Sequence, residues 1–146
     1  MRGFTLIELL VVVTIIGVLA AIVLTALNRG SNSANISRIE GQLNQARSAA
    51  EIYYVKNQRF GPAATGCTTA NSLFVDPIMS KFVTSANYPS GATVACRSNT
   101  NVWAIRILYA PSGGSTMYYC MDGNGKLVKS ASSMNISDSD CDTNGV

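Results

Sequence analysis

Histidine is absent from all 146 residues, and with it the commonest general base and the commonest metal-ligating side chain. That excludes Ser-His-Asp triads, Cys-His dyads and mixed Cys/His zinc sites. Charge is scarce too: 13% of the residues are charged, the net charge is +3, and the basic side chains are scattered. So mild a balance carries no nucleic-acid footprint, and no specific nucleic-acid partner is expected. Proline is missing until Pro62, so nothing of that kind breaks a helix in the first third of the chain. Cysteine is missing until Cys67. The four present, Cys67, Cys96, Cys120 and Cys141, contain no Cys-x-x-Cys pair. They read as two disulfides made outside the cytoplasm rather than as metal or redox ligands. With no base available and the acids outside the C-terminal tail isolated, an enzyme is the class least supported.

What the chain does have is an apolar run that begins almost at once. Residues 3–27, GFTLIELLVVVTIIGVLAAIVLTAL, carry one charge, the carboxylate of Glu8. An acid at mid-membrane costs roughly 2.5–3.5 kcal/mol on insertion scales, so an isolated one usually has a partner. Residues 6–27 make about 33 Å of helix at 1.5 Å per residue, against about 30 Å of hydrocarbon. A secretory signal peptide is the rival reading. Against it, the stretch is too long for an h-region, an acid interrupts it, and only Met1-Arg2-Gly3 precede it. Arg2 on the short side favours a cytoplasmic N-terminus. Glu8 also has plainer readings, as a partner of the helix dipole or of an amine four residues before it.

Gly3-Phe4-Thr5-Leu6-Ile7-Glu8 followed by a hydrophobic helix resembles the N-terminus of type IV pilins and the related pseudopilins. The resemblance implies that a prepilin peptidase/methyltransferase cuts between Gly3 and Phe4 and methylates the new N-terminal Phe4. It implies that Glu8 pairs with the terminal ammonium of a neighbouring subunit during filament assembly. It also implies an inner-membrane assembly platform as partner, a single-pass bacterial inner-membrane location before assembly, and an extracellular or periplasmic filament after it. Removal of residues 1–3 leaves residues 4–27 as the transmembrane and assembly helix and residues 28–146 as the head. Many pilins carry a proline near the position held here by Thr25. This chain lacks it and has only Gly17 as a soft point.

Past the anchor, Asn28-Arg29-Gly30-Ser31-Asn32-Ser33 are poor helix formers that mark a weak joint. Ile36, Ile39, Leu43, Ala46, Ala50 and Tyr53 then recur at spacings of three and four, one apolar stripe of an amphipathic helix running to about Asn57. Asp76-Pro77 predicts an N-cap and first helical residue for a short helix through about Phe82. Trp103, Ile105, Ile107 and Tyr109 alternate as one strand face, residues 116–122 make the next strand, and residues 92–96 a further one. Asp122-Gly123-Asn124-Gly125 is a hairpin signal leading to residues 126–129. The expected fold is α+β: a long N-terminal helix, hydrophobic then amphipathic, packed on a small antiparallel sheet. That is also the pilin fold.

Four cysteines allow three pairings. By resemblance to the disulfide-bounded loop of many pilins, Cys120 pairs with Cys141, leaving Cys67 with Cys96. Asp140, Asp142 and Asn144, with Asp138 just ahead, match the opening of a calcium loop, D-x-[DN]-x-[DN]-G. The closing glutamate is absent before the chain stops at Val146, so a solvated acidic tail is preferred and no cofactor is expected. Three functions fit these features. The first is a structural subunit of a type IV pilus or pilus-like filament, polymerised through its apolar helix. The second is a secretion pseudopilin. The third, from another class, is a monomeric membrane-anchored binding module.

Overall fold

A computed structural model describes residues 5–134, 136 and 139–141. The chain divides into two units, residues 1–34 and residues 35–146. Helix α1 covers Leu6–Asn57. From Leu9 to Leu27 it is apolar on every face, and its large aliphatic side chains from Leu6 to Leu27 keep 47–88% of their surface exposed. An 18-residue window reaches a mean hydropathy of 3.0 with none of it buried. The helix is thus long and apolar enough to cross a membrane. Residues 28–33 stay helical in spite of their poor propensity, so the expected joint is not a break.

The second unit begins where α1 becomes amphipathic. Ile39, Leu43, Ala46, Ala49 and Ala50 are buried, and Ile36 and Tyr53 are half-buried beside them. They pack with one face of a four-stranded antiparallel sheet in the order β1-β2-β3-β4, made of Thr93–Ser98, Trp103–Tyr109, Met117–Asp122 and Leu127–Ser130. Period-two alternation sends Trp103, Ile105, Ile107 and Tyr109 of β2 to that face. Register sets Ile105 between Cys96 and Met121, and Ile107 opposite Tyr119. Lys129 of β4 bonds Glu40 of α1 at 2.6 Å. Nearby, burial first and the Glu40 carboxylate second push the Tyr119 phenol above its usual pKa.

The opposite sheet face is covered as well, which the strand pattern does not announce. Ala104 and Cys120 are fully buried there against Met134, Ile136 and Cys141 of the C-terminal segment, with Ala95, Tyr118 and Val128 at the margin. Arg106 lies over the Tyr118 ring at 5.6 Å and donates to the Met134 carbonyl. Cys67 is bonded to Cys96 and Cys120 to Cys141. Closing loops of 29 and 21 residues contributes about 3 kcal/mol each in the chain-entropy picture.

The link from α1 to the sheet is built on unusual backbone. Gln58, at φ 56°, ends α1 with its N–H donating to the Tyr54 carbonyl at 2.7 Å. Gly61 sits at φ +105°, and a Cβ there would lie 2.6 Å from the Asn71 carbonyl oxygen, so only glycine fits. Ala64 and Ser98 then exchange two backbone bonds, at 2.8 and 3.1 Å, alongside β1. The expected helix after Asp76 is present as a 3-10 turn, Met79–Phe82. Asp76 Oδ1 still accepts from the Ile78 and Met79 amides at 2.9 and 3.4 Å, as a cap does.

The β3–β4 turn has one further constraint. Gly125 has φ +79°, and a Cβ on it would fall 2.5 Å from the Arg47 guanidinium carbon. Arg47 is itself tied to Glu51 at 3.1 Å. Gly125→Ala therefore places a side chain in the left-handed region and displaces Arg47. Chemical denaturation will show a loss of about 1–2 kcal/mol.

Candidate functional site

Glu8 stands in the first turn of α1. Its Oε2 accepts the Thr5 backbone N–H at 2.9 Å and the Thr5 hydroxyl at 2.8 Å, and the Glu8 N–H points back to Thr5 Oγ1 at 3.4 Å. Thr5 is thus the N-cap and Glu8 the N3 residue of a capping box, which satisfies donors that a helix start otherwise leaves open. The sequence signal was Thr5-Leu6-Ile7-Glu8, the [ST]-x-x-[DE] pattern, and the reading of Glu8 from sequence passed over it. Gly3 and Phe4, where processing and methylation are expected, lie outside the described residues.

The second cluster of polar chemistry lies at the far end of the chain. Asp122 closes β3 and is fully buried. Its Oδ1 accepts from the Asn124 and Lys126 amides, both at 3.0 Å, and its Oδ2 accepts the Cys141 N–H at 3.3 Å. One carboxylate therefore shapes the β3–β4 turn and fastens the segment that carries the Cys120–Cys141 bridge. Asp140 lies beside it and accepts the Cys141 N–H at 2.6 Å. Of the calcium-loop residues Asp140 alone is described, since Asp138, Asp142 and Asn144 lie outside the described residues. Among the described residues no group of three acids or cysteines could hold a metal ion.

The Asp140 carboxyl has its pKa raised, first by its hydrogen bond with Asp122 and then by burial; the Cys141 amide and Lys126 oppose this only in part. A raised native pKa means that the folded chain holds the proton more tightly than the unfolded one. The stabilisation is complete in acid and is lost as pH rises through the raised native value. Urea melts of the wild type and Asp140→Asn from about pH 3 to 7 will therefore show a wild-type advantage that is largest in acid and declines toward neutrality. A difference that grows with pH would contradict the hydrogen bond between the two acids.

The family model for the prokaryotic N-terminal methylation motif matches residues 1–24, the segment that holds Thr5 and Glu8. A fimbrial protein of Neisseria meningitidis serogroup A is 31% identical over 134 residues, covering 82% of this chain and 72% of the relative. The type IV major pilin protein of Neisseria gonorrhoeae is 30% identical over the same length, covering 82% of this chain and 73% of the relative. The chain belongs to the type IV pilin family. The pilin is also similar to the type IV wide pilus major component of Thermus thermophilus, at 29% identity over 102 residues, 70% of this chain and 78% of the relative. No solved structure matches it.

The features of this pilin that sequence reasoning missed are of one kind. Asp122 was read only as part of a hairpin signal, although a carboxylate that opens Asp-Gly-Asn-Gly is placed to accept turn amides. Its bond to the Cys141 amide spans 19 residues and leaves no local trace.

Proposed function

We infer that this pilin is a structural subunit of a type IV pilus, processed after Gly3, N-methylated at Phe4, and polymerised through its apolar helix. The observation that carries the reading is the exposed apolar surface of α1 up to Leu27, attached to a separately packed, disulfide-closed unit. A single chain leaves that surface unburied, and either lipid or identical neighbours will cover it. The N-terminal methylation motif over residues 1–24 and the fimbrial and pilus names of its relatives support the same reading.

In this role the chain waits in the bacterial inner membrane with its N-terminus cytoplasmic, meets the prepilin peptidase/methyltransferase and an assembly platform, and leaves as a surface filament. Glu8 pairs with the ammonium of a neighbouring Phe4. No cofactor and no catalytic step belong to this role. The test is intact-mass analysis of chains recovered from cell-surface filaments and from membranes. The expected mass lacks residues 1–3 and carries one methyl group on Phe4. An uncut Arg2, or chains that crosslink only as monomers, would instead favour a membrane-anchored binding module.

A further inference from the structure

Two arginines lie on the outer face of the sheet, and only one has its charge met. Arg106 of β2 covers the Tyr118 ring and donates to the Met134 carbonyl. Arg97 of β1 stands opposite Ala104, is half-buried, and has no acid, carbonyl or ring as partner among the described residues. It lines a cavity of about 340 Å³ together with Thr65, Ser98, Asn99 and Ser139. Ser98 and Ser139 are only 3% and 5% exposed, yet both reach its wall. The Ser139 hydroxyl has no hydrogen-bond partner among the described residues, and the Ser98 hydroxyl has only a 3.5 Å contact with the Pro62 carbonyl. We propose that this cavity binds a carboxylate-bearing sugar, with Arg97 taking the carboxylate and Ser98, Asn99 and Ser139 the sugar hydroxyls. The site lies wholly in the head, so it stands or falls apart from the filament role.

Charge, size and rigidity each narrow the ligand. A half-dried guanidinium without a counter-charge is costly, and its planar fork matches a carboxylate through two parallel bonds. None of the described lining residues is acidic, so none of them repels an anion. The volume falls within the roughly 300–1,000 Å³ of small-molecule sites and would leave a bare phosphate or sulfate loose in it. Hydroxyls and a carboxamide both donate and accept, as the hydroxyls of a sugar require of a wall. The walls are also fixed before a ligand comes. Asn99 Oδ1 accepts the Asn101 and Val102 amides at 2.9 and 3.0 Å, which leaves its Nδ2 group to donate to a ligand. The Ala64–Ser98 backbone pair and the Cys67–Cys96 bond hold the loop that carries Thr65 beside β1. Little ordering is left to offset binding.

The full-length chain in detergent micelles is titrated at low salt with glucuronic acid as probe, and with glucose and inorganic phosphate as controls. Calorimetry and the arginine Nε–H resonances follow the binding. Glucuronate is expected to bind and to shift the Arg97 resonance, while that of Arg59, outside the cavity, stays in place. Glucose lacks the carboxylate and phosphate lacks the sugar. Each is therefore expected to bind at least about tenfold more weakly, the size of one lost charge-assisted bond. Arg97→Gln is expected to lower glucuronate affinity about tenfold and Ser139→Ala about threefold, both with urea melts like those of the wild type. Arg59→Gln is expected to leave the affinity unchanged. The resonance shift is read on the wild type, so it decides even where a variant fails to fold. Absence of glucuronate binding at millimolar concentration, an unmoved Arg97 resonance, equal binding of glucose or phosphate, or full affinity in Arg97→Gln would each overturn the proposal.

Discussion

Glu8→Gln will lower the amount of chain in filaments by about a hundredfold while leaving the membrane pool and the cut at Gly3 unchanged. The substitution is chosen for what it preserves. A glutamine carbonyl still accepts the Thr5 amide and hydroxyl that reach Oε2 at 2.9 and 2.8 Å, so the start of α1 stays capped. Only the charge goes. Two unit charges 4 Å apart at an effective dielectric near 20 attract by about 4 kcal/mol, and removing one also removes the cost of drying it. The net loss is smaller than the Coulomb figure and still near two powers of ten. The readout is the ratio of sheared filament to membrane-held chain. Wild-type filament levels in Glu8→Gln would show that apolar burial alone drives polymerisation.

Asp122→Ala is the second large effect, and it falls on the folded head. The carboxylate is fully buried and takes three backbone donors, from Asn124, Lys126 and Cys141. Alanine leaves the Asn124 and Lys126 amides without an acceptor, while the Cys141 amide keeps only its bond to Asp140, and each unmet donor costs about 1–3 kcal/mol. Water entering from the turn recovers part of this, so about 2–3 kcal/mol is expected in denaturant melts. Asn124 and Lys126 sit in the turn itself, whereas Cys141 belongs to the segment over the outer sheet face. Proteolysis between Ser130 and Cys141 should therefore speed up well below the global unfolding transition. Loss of stability with no such local opening would mean that the disulfide alone holds the segment.

The sequence showed the helix and strands because each writes its own period. The apolar stripe from Ile36 to Tyr53 and the alternation of Trp103, Ile105, Ile107 and Tyr109 are local signals, and each maps onto one buried face. The site was legible at Glu8 because one acid in a long apolar run stands out against its background. Its companion Thr5 was not, since a hydroxyl beside a hydrophobic helix is unremarkable until the geometry pairs it. The second core, with Ala104 and Cys120 under Met134 and Ile136, was hidden for another reason. Small residues on a strand's outer face look solvent-facing unless a distant segment returns to cover them, and only the Cys120–Cys141 link hints at that return.

A subunit exported at high local concentration runs a hazard that has nothing to do with its helix. Any open sheet offers its outermost strands as templates for another chain. Here the far end of β1 is engaged by the Ala64–Ser98 exchange, and the Cys67–Cys96 bond ties the chain's own loop beside it. At the other margin β4 has only four residues, too short a template for a long added strand. Growth by strand addition is hindered at one flank and has little to build on at the other. That leaves the apolar helix as the route by which copies of this chain join, and it keeps an ordered fibre from competing with an amyloid one.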